Sequence, residues 1–183
     1  MKKLVLTYGL IAGIVVSIFM LTSIALGVEH MDTEKGMYIG FTGMIIALSF
    51  IFVAIKNYRD KHNGGTISFG KAFRIGLYIS LIASTLYVIS WMVDYYFFVP
   101  DFLEKYAAAA MENVRESGAS EAEISAKTAE MAQFREWYKN PVFVALLTYT
   151  EILPVGIVVS LIAALFLKRN ESRPDIVDAS QIG

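Results

Sequence analysis

Four long apolar runs constrain this chain more than any other feature. Leu4 to Val28 is a stretch of 25 residues without a charge. A second run lies between Lys35 and Lys56, and a third lies between Arg74 and Asp94 and continues through Tyr95–Val99. The fourth, Pro141 to Leu167, contains one acid, Glu151. A bilayer core about 30 Å thick needs roughly 20 helical residues to cross, and each run meets that length. In lipid only helices and closed barrels satisfy every backbone polar group. Barrel strands would be about 10 residues long and strictly alternating, whereas these runs are continuous. The expected fold class is all-α: a polytopic membrane protein with four transmembrane helices in one bundle, at residues 4–28, 37–55, 73–98 and 141–167.

Met1-Lys2-Lys3 ahead of an apolar run also describes a signal peptide, but signal h-regions span about 7–15 residues. The first run is far longer and is read as an uncleaved helix. Lysine and arginine concentrate in short cytoplasmic loops. With the N-terminus inside, the inner segments hold Lys2, Lys3, Lys56, Arg59, Lys61, Lys71, Arg74, Lys168, Arg169 and Arg173, which is 10 of the 16 basic residues. The outer loop Glu29–Gly36 sets Lys35 against Glu29, Asp32 and Glu34, and the outer segment 99–140 has five basic and eight acidic residues. Both termini are therefore expected in the cytoplasm.

Small residues recur at helical spacing. Gly9 and Gly13, and Gly36 and Gly40, form GxxxG pairs that let helices approach closely. They are read as packing within the bundle, with a homodimer seam as the alternative. Gly76, Ser80 and Ser84 on the third helix, and Gly156, Ser160 and Ala164 on the fourth, continue the pattern. Residues 1–169 are thus one membrane domain, and 170–183 a polar cytoplasmic tail expected to lack structure.

Between the second and third helices, Asn63-Gly64-Gly65 signals a turn and Ser68 stands where an N-cap belongs. Phe69 and Phe73 share a face that would rest at the lipid interface, with Lys71 and Arg74 toward headgroups. A phosphate or partner site on Gly64, Gly65 and Lys71 is the alternative, although the P-loop spacing is missing. Residues 100–139 form the one sizeable polar region. Asp101–Glu116 reads as helix, Ser117-Gly118-Ala119 as a break, and Ser120-x-x-Glu123 as a capping box opening a helix to Tyr138. Ile124, Met131, Phe134 and Tyr138 give that helix an apolar face. An extracytoplasmic helical hairpin is expected, with Tyr95, Tyr96, Trp137 and Tyr138 as an aromatic belt.

No enzyme motif is present. The two histidines, His30 and His62, fall on opposite sides of the membrane, and the cysteine count is zero. A net charge of −1 argues against a nucleic-acid partner. No cofactor, metal or catalytic residue is expected.

Two acids remain. Glu151 lies ten residues into the fourth helix, about 15 Å from its end at about 1.5 Å per residue. A charge at that depth costs at least about 2.5–3.5 kcal/mol. The carboxyl must stay protonated, reach water through a cavity, or be satisfied by polar side chains such as Tyr8, Ser17, Ser49, Ser84, Thr85, Tyr87 or Ser90. Pro154, followed by Gly156, frees a backbone carbonyl and allows a break beside the acid, an arrangement that transporters use. A packing role that fixes helix register, a proton- or ligand-handling role, and a contact with a partner helix all remain open. Asp94, four residues from the outer end of its helix, is expected to reach the interface.

Two stretches carry a family resemblance: Gly64-Gly65-Thr66-Ile67-Ser68-Phe69-Gly70-Lys71-Ala72-Phe73, and Glu151-Ile-Leu-Pro154-Val-Gly156-Ile-Val-Val-Ser160-Leu-Ile. With the acidic outer segment between them, they make the chain resemble a small bacterial membrane-protein family, mainly from Bacteroidota, catalogued as domain of unknown function 4199. The resemblance spans residues 1–170 and implies four helices and an inner membrane, with no known activity, substrate or cofactor. It marks Ser68, Phe69, Glu151, Pro154 and Gly156 as signature positions. The function expected first is a non-enzymatic accessory or scaffold protein acting through its outer hairpin on a second copy or another membrane protein. The alternative is a small carrier or proton- and ligand-handling protein using Glu151.

Overall fold

A computed structural model describes residues 1–26 and 33–169. The elements in order are α1 (Lys2–Ala25), α2 (Thr33–Leu48), α3 (Phe50–Asn57), a π-helical turn (Tyr58–His62), α4 (Phe69–Phe97), α5 (Phe102–Glu116), α6 (Glu121–Tyr138) and α7 (Pro141–Leu167). Four helical spans are long and apolar enough to cross a membrane: Lys2–Ala25, Gly36–His62, Phe69–Phe97 and Pro141–Leu167. The end of the first run, most of the first outer loop and the tail lie outside the described residues.

The second span is less regular than the sequence suggests. Ser49 Oγ donates to the Ile46 carbonyl at 2.6 Å, and Phe52 N–H donates to the Ser49 carbonyl at 3.0 Å. Serine back-bonding of this kind competes with the ordinary helical pattern and tightens the turn. The span then runs on to His62 instead of ending near residue 55.

Helix α4 is the centre of the bundle. Against α7 it runs antiparallel: a Cβ on Gly76 would lie 2.7 Å from Ser160 Oγ, and one on Gly156 would lie 2.7 Å from Ser80 Cβ. Ser80 and Ser160 donate back to the Gly76 and Gly156 carbonyls at 3.0 and 2.7 Å. Lipid supplies no hydrophobic drive between helices, so close packing of small residues has to hold them. Against α1, α4 runs parallel, with Gly9 beside Ile82 and Gly13 beside Leu86 and Ala83. The first GxxxG pair is therefore an internal seam. The second also faces α1, but across a small recess lined by Gly36, Gly40, Phe19 and Met20, so that Gly40 has nothing within 4 Å of a built Cβ; the close contact falls one turn on, where Gly43 faces the Phe19 ring. Pairwise spacing identified the face of α2 that turns to α1 but not the residue that makes the close contact.

One end of the bundle is tied by polar contacts. Asn57 Nδ2 donates to the Tyr8 hydroxyl at 3.0 Å, Arg59 donates to the Leu167 carbonyl at 3.3 Å, and Ile67 and Arg169 exchange backbone hydrogen bonds at 2.8 and 2.9 Å. Lys2, Lys3, Lys56, Arg59, Lys61, Lys71, Arg74, Lys168 and Arg169 gather at this end. The Asn63-Gly64-Gly65 turn forms as expected, with φ of 63° and 79° at the two glycines, a backbone shape glycine adopts without strain. Lys71 donates to Asn63 Oδ1 at 2.8 Å and stands 5.0 Å from the centre of the Tyr58 ring. Ser68 is at the N-cap with extended backbone, but its side chain makes no capping hydrogen bond, contrary to expectation. Phe69 and Phe73 stack at 6.1 Å, and Phe69 is exposed.

At the opposite end, α5 and α6 close over the bundle. The capping box forms: Ser120 N–H donates to Glu123 Oε2 at 2.7 Å, and Glu123 N–H donates to Ser120 Oγ at 3.4 Å. The Ser120 N–H and the Ser120 hydroxyl, both donating to it, hold the Glu123 carboxyl below its usual range. Leu103 and Ala107 of α5 and Met131 and Tyr138 of α6 are buried, so the apolar face read from spacing turns inward.

Candidate functional site

Glu151 opens on a cavity of about 270 Å³ beneath α5 and α6. Helical spacing puts Leu147 and Glu151 on one face of α7, four residues apart. Met20 and Ile24 of α1 and Leu147 of α7 supply the aliphatic wall. The rest is aromatic: Tyr87 and Trp91 from α4, Phe102 and Tyr106 from α5, Phe134 and Tyr138 from α6. Each aromatic pair is spaced four residues apart, so each helix presents two rings on one face.

Those rings other than Tyr87, joined by Tyr95, form a closed circuit. Trp91 meets Phe102 edge-on at 4.8 Å, Phe102 stacks on Tyr106 at 6.1 Å, and Tyr106 contacts Phe134 at 6.4 Å. Phe134 meets Tyr138 at 5.0 Å, Tyr138 meets Tyr95 edge-on at 5.2 Å, and Tyr95 returns to Trp91 at 5.8 Å. Aromatic pairs at such distances contribute about 0.5–1.5 kcal/mol each beyond area burial. The circuit joins α4, α5 and α6 around the cavity. Burial pushes the Tyr138 phenol above its usual range, so it remains a neutral hydroxyl.

Glu151 is the one carboxyl in the lining, which contains no Lys, Arg or His. Its side chain remains exposed, and no hydrogen bond or ion pair to it forms among the described residues. Of the polar groups expected to satisfy it, only Tyr87 shares the cavity. Tyr8 is engaged by Asn57, Ser49 bonds within its own helix, and Thr85 pairs with Tyr149 at 2.8 Å. The hydroxyls of Ser17 and Ser84 are buried without a partner of any kind. The arrangement can accept a proton at Glu151 or pair it with a cation. Among the described residues, no group of three His, Cys, Asp or Glu could hold a metal ion.

The other signature positions lie elsewhere. Gly156 is the contact point for Ser80. Pro154 lines a separate, larger recess of about 480 Å³ with Ile45, Ser49, Phe52, Val158 and Ile162, which offers no ionisable group. The expected break at Pro154 does not occur: α7 is one helix from Pro141 to Leu167. Membrane helices tolerate proline because neighbouring groups and local adjustment compensate the freed carbonyl. Ser68 and Phe69 are at the far end of the bundle, remote from Glu151. Asp94, expected to reach the interface, is buried at 8% exposure within the protein. The expected belt divides: Tyr96 and Trp137 are exposed, while Tyr138 is core.

Sequence reasoning singled out Glu151 and Tyr87 but missed Trp91, Phe102, Tyr106 and Phe134 as a shared wall. A usable signal was present: aromatic residues four apart on three helices, at 87 and 91, 102 and 106, and 134 and 138.

No curated protein and no solved structure matches the chain. A family model does match, over residues 7–169, and it covers both stretches on which the resemblance rested. With four helices able to span a bilayer and a family match over most of its length, this chain is a multi-pass membrane protein that belongs to the family described as "Protein of unknown function (DUF4199)".

Proposed function

We propose that this protein is a non-enzymatic ligand-handling protein of the bacterial inner membrane, and that the Glu151 cavity takes a small molecule from the extracytoplasmic side. Both termini are cytoplasmic in this reading, and α5 and α6 form the outer hairpin. The observation that supports it is an acidic side chain inside a membrane span that opens on a cavity walled by aromatic rings of three other helices. Ionisable residues within spans are costly and mark functional pathways by default. A register-fixing role would call for polar partners around the carboxyl, and none hydrogen-bonds to it among the described residues.

The accessory role that the sequence suggested first is the weaker reading. The apolar stripe of α6, which would have been its contact surface, faces α4 and α5.

The chain has no cysteine, so single cysteines report access cleanly. Leu147→Cys, in the cavity wall, is expected to react with a small water-soluble methanethiosulfonate in intact membranes. Ile152→Cys, fully buried, is expected to be protected. Equal protection at both positions would mean a sealed cavity and would end the ligand-handling reading.

A further inference from the structure

We propose that the ligand of the Glu151 cavity is a small organic cation of the alkylammonium class, an inference that rests on the ligand-handling reading above. Tyr87, Trp91, Phe102, Tyr106, Phe134 and Tyr138 line the cavity, and the face of an aromatic ring carries a negative quadrupole potential that attracts a cation. Aromatic enclosures of this kind suit quaternary ammonium groups, which have no N–H to satisfy and bind through their polarised methyls. Glu151 adds the single countercharge, and no lining residue competes for it.

Other ligand classes fit less well. An anion would meet the carboxylate and no basic residue. A hard metal ion wants six or more oxygen ligands, and the cavity offers one carboxylate and three phenols. A purely apolar guest would leave the carboxyl desolvated and unpaired, which is unfavourable. A bare proton needs no cage of rings. The volume, about 270 Å³, also limits size. An apolar cavity of about 150 Å³ holds benzene, so there is room here for a headgroup or small amine and not for a long chain.

An alkylammonium can arrive as a free solute or as the headgroup of a lipid. The test uses the full chain with Trp137→Phe, which leaves Trp91 in the cavity wall as the sole tryptophan reporter. Tetramethylammonium and choline are titrated into protein in phosphatidylglycerol nanodiscs while Trp91 fluorescence is read. Both are expected to give a saturable change. The uncharged analogue of choline, with a quaternary carbon in place of nitrogen, is expected to bind about tenfold more weakly or worse. Glu151→Gln, nearly the same in shape, is expected to weaken choline by a similar factor with unchanged helical content. Repeating the titration in phosphatidylcholine nanodiscs separates the sources: competition by the bilayer assigns a lipid headgroup, and an unchanged curve assigns a free amine. Equal affinity for the cation and its carbon analogue would overturn the cation class while leaving a ligand cavity in place. Unchanged choline binding by Glu151→Gln, or no response to either compound where Leu147→Cys is reactive, would also overturn it.

Discussion

Ser80 and Ser160 meet hydroxyl to hydroxyl, Oγ to Oγ at 3.2 Å, and each stands against the other helix's glycine. The two Gly-x-x-x-Ser segments are equivalent across an antiparallel crossing, since Gly76 faces Ser160 as Gly156 faces Ser80. Close approach here fixes the register of α7 on α4, and that register brings Glu151 beneath the aromatic circuit. The glycines matter more than the hydroxyls. Gly156→Leu is expected to destabilise the protein by at least about 1–3 kcal/mol, because the added side chain has no room and overpacking is the result. Ser80→Ala and Ser160→Ala are expected to cost only about 0.6 kcal/mol each, near the mean for hydrogen bonds between membrane helices. Unfolding by denaturing detergent from mixed micelles measures both. A Gly156→Leu variant as stable as Ser80→Ala would refute the crossing.

The two GxxxG pairs should respond unequally. Gly13→Leu is expected to disrupt the α1–α4 seam, since a Cβ there would already lie 2.5 Å from Leu86. Gly40→Leu is expected to cost less than Gly13→Leu, because a Cβ at Gly40 meets nothing within 4 Å and the added side chain has a recess to enter. Detergent unfolding separates them, and crosslinking of Gly40→Leu reads its oligomeric state. A change of oligomeric state in that variant would give α2 a role as a seam between copies.

The capping box predicts a specific pH response of α6. Glu123 has its carboxyl depressed by the Ser120 N–H and hydroxyl. A group whose folded value is lowered stabilises at pH above its unfolded value, and that contribution is lost as pH falls through the folded value. The stability gap between wild type and Glu123→Gln is therefore expected to be open at neutral pH and to close in acid below the ordinary carboxylate range. A gap that widens on acidification would contradict the assignment. Local hydrogen exchange at Ile124 and Ser125, compared between the two proteins at each pH, reads it out.

Orientation is testable with two single cysteines. Asn63→Cys is in the turn at the basic end of the bundle, and Ser120→Cys caps α6 at the other end. In intact cells an impermeant maleimide is expected to label Ser120→Cys and leave Asn63→Cys unmodified until the membrane is broken. The reverse pattern would place the termini outside and move the cavity mouth to the cytoplasmic side.

Much of the molecule follows from local rules. A run of about 20 apolar residues must cross as a helix because lipid leaves its backbone no other partner. That rule located the fourth span at Pro141–Leu167 and the third to within a few residues. The capping box, the two-glycine turn and the small-residue stripes on α4 and α7 were legible for the same reason. Each is a pattern within about one to three helical turns. The spacing also made Glu151 conspicuous, since an acid ten residues into a span is unfavourable wherever the helix packs. What the sequence alone left undecided is what surrounds each position. Gly9, Gly13 and Gly40 carry the same spacing signal, yet only the first two are in close contact with a neighbour, while Gly40 borders a recess, because interhelical distance depends on the partner. Asp94 was read as interfacial and is buried among other side chains, which its own helix does not reveal. The aromatic circuit joins residues 91, 102, 134 and 138 from three helices, and no periodicity within one helix encodes their convergence. Periodicity determines which face of a helix can pack; only the docking of helix on helix decides what that face encloses.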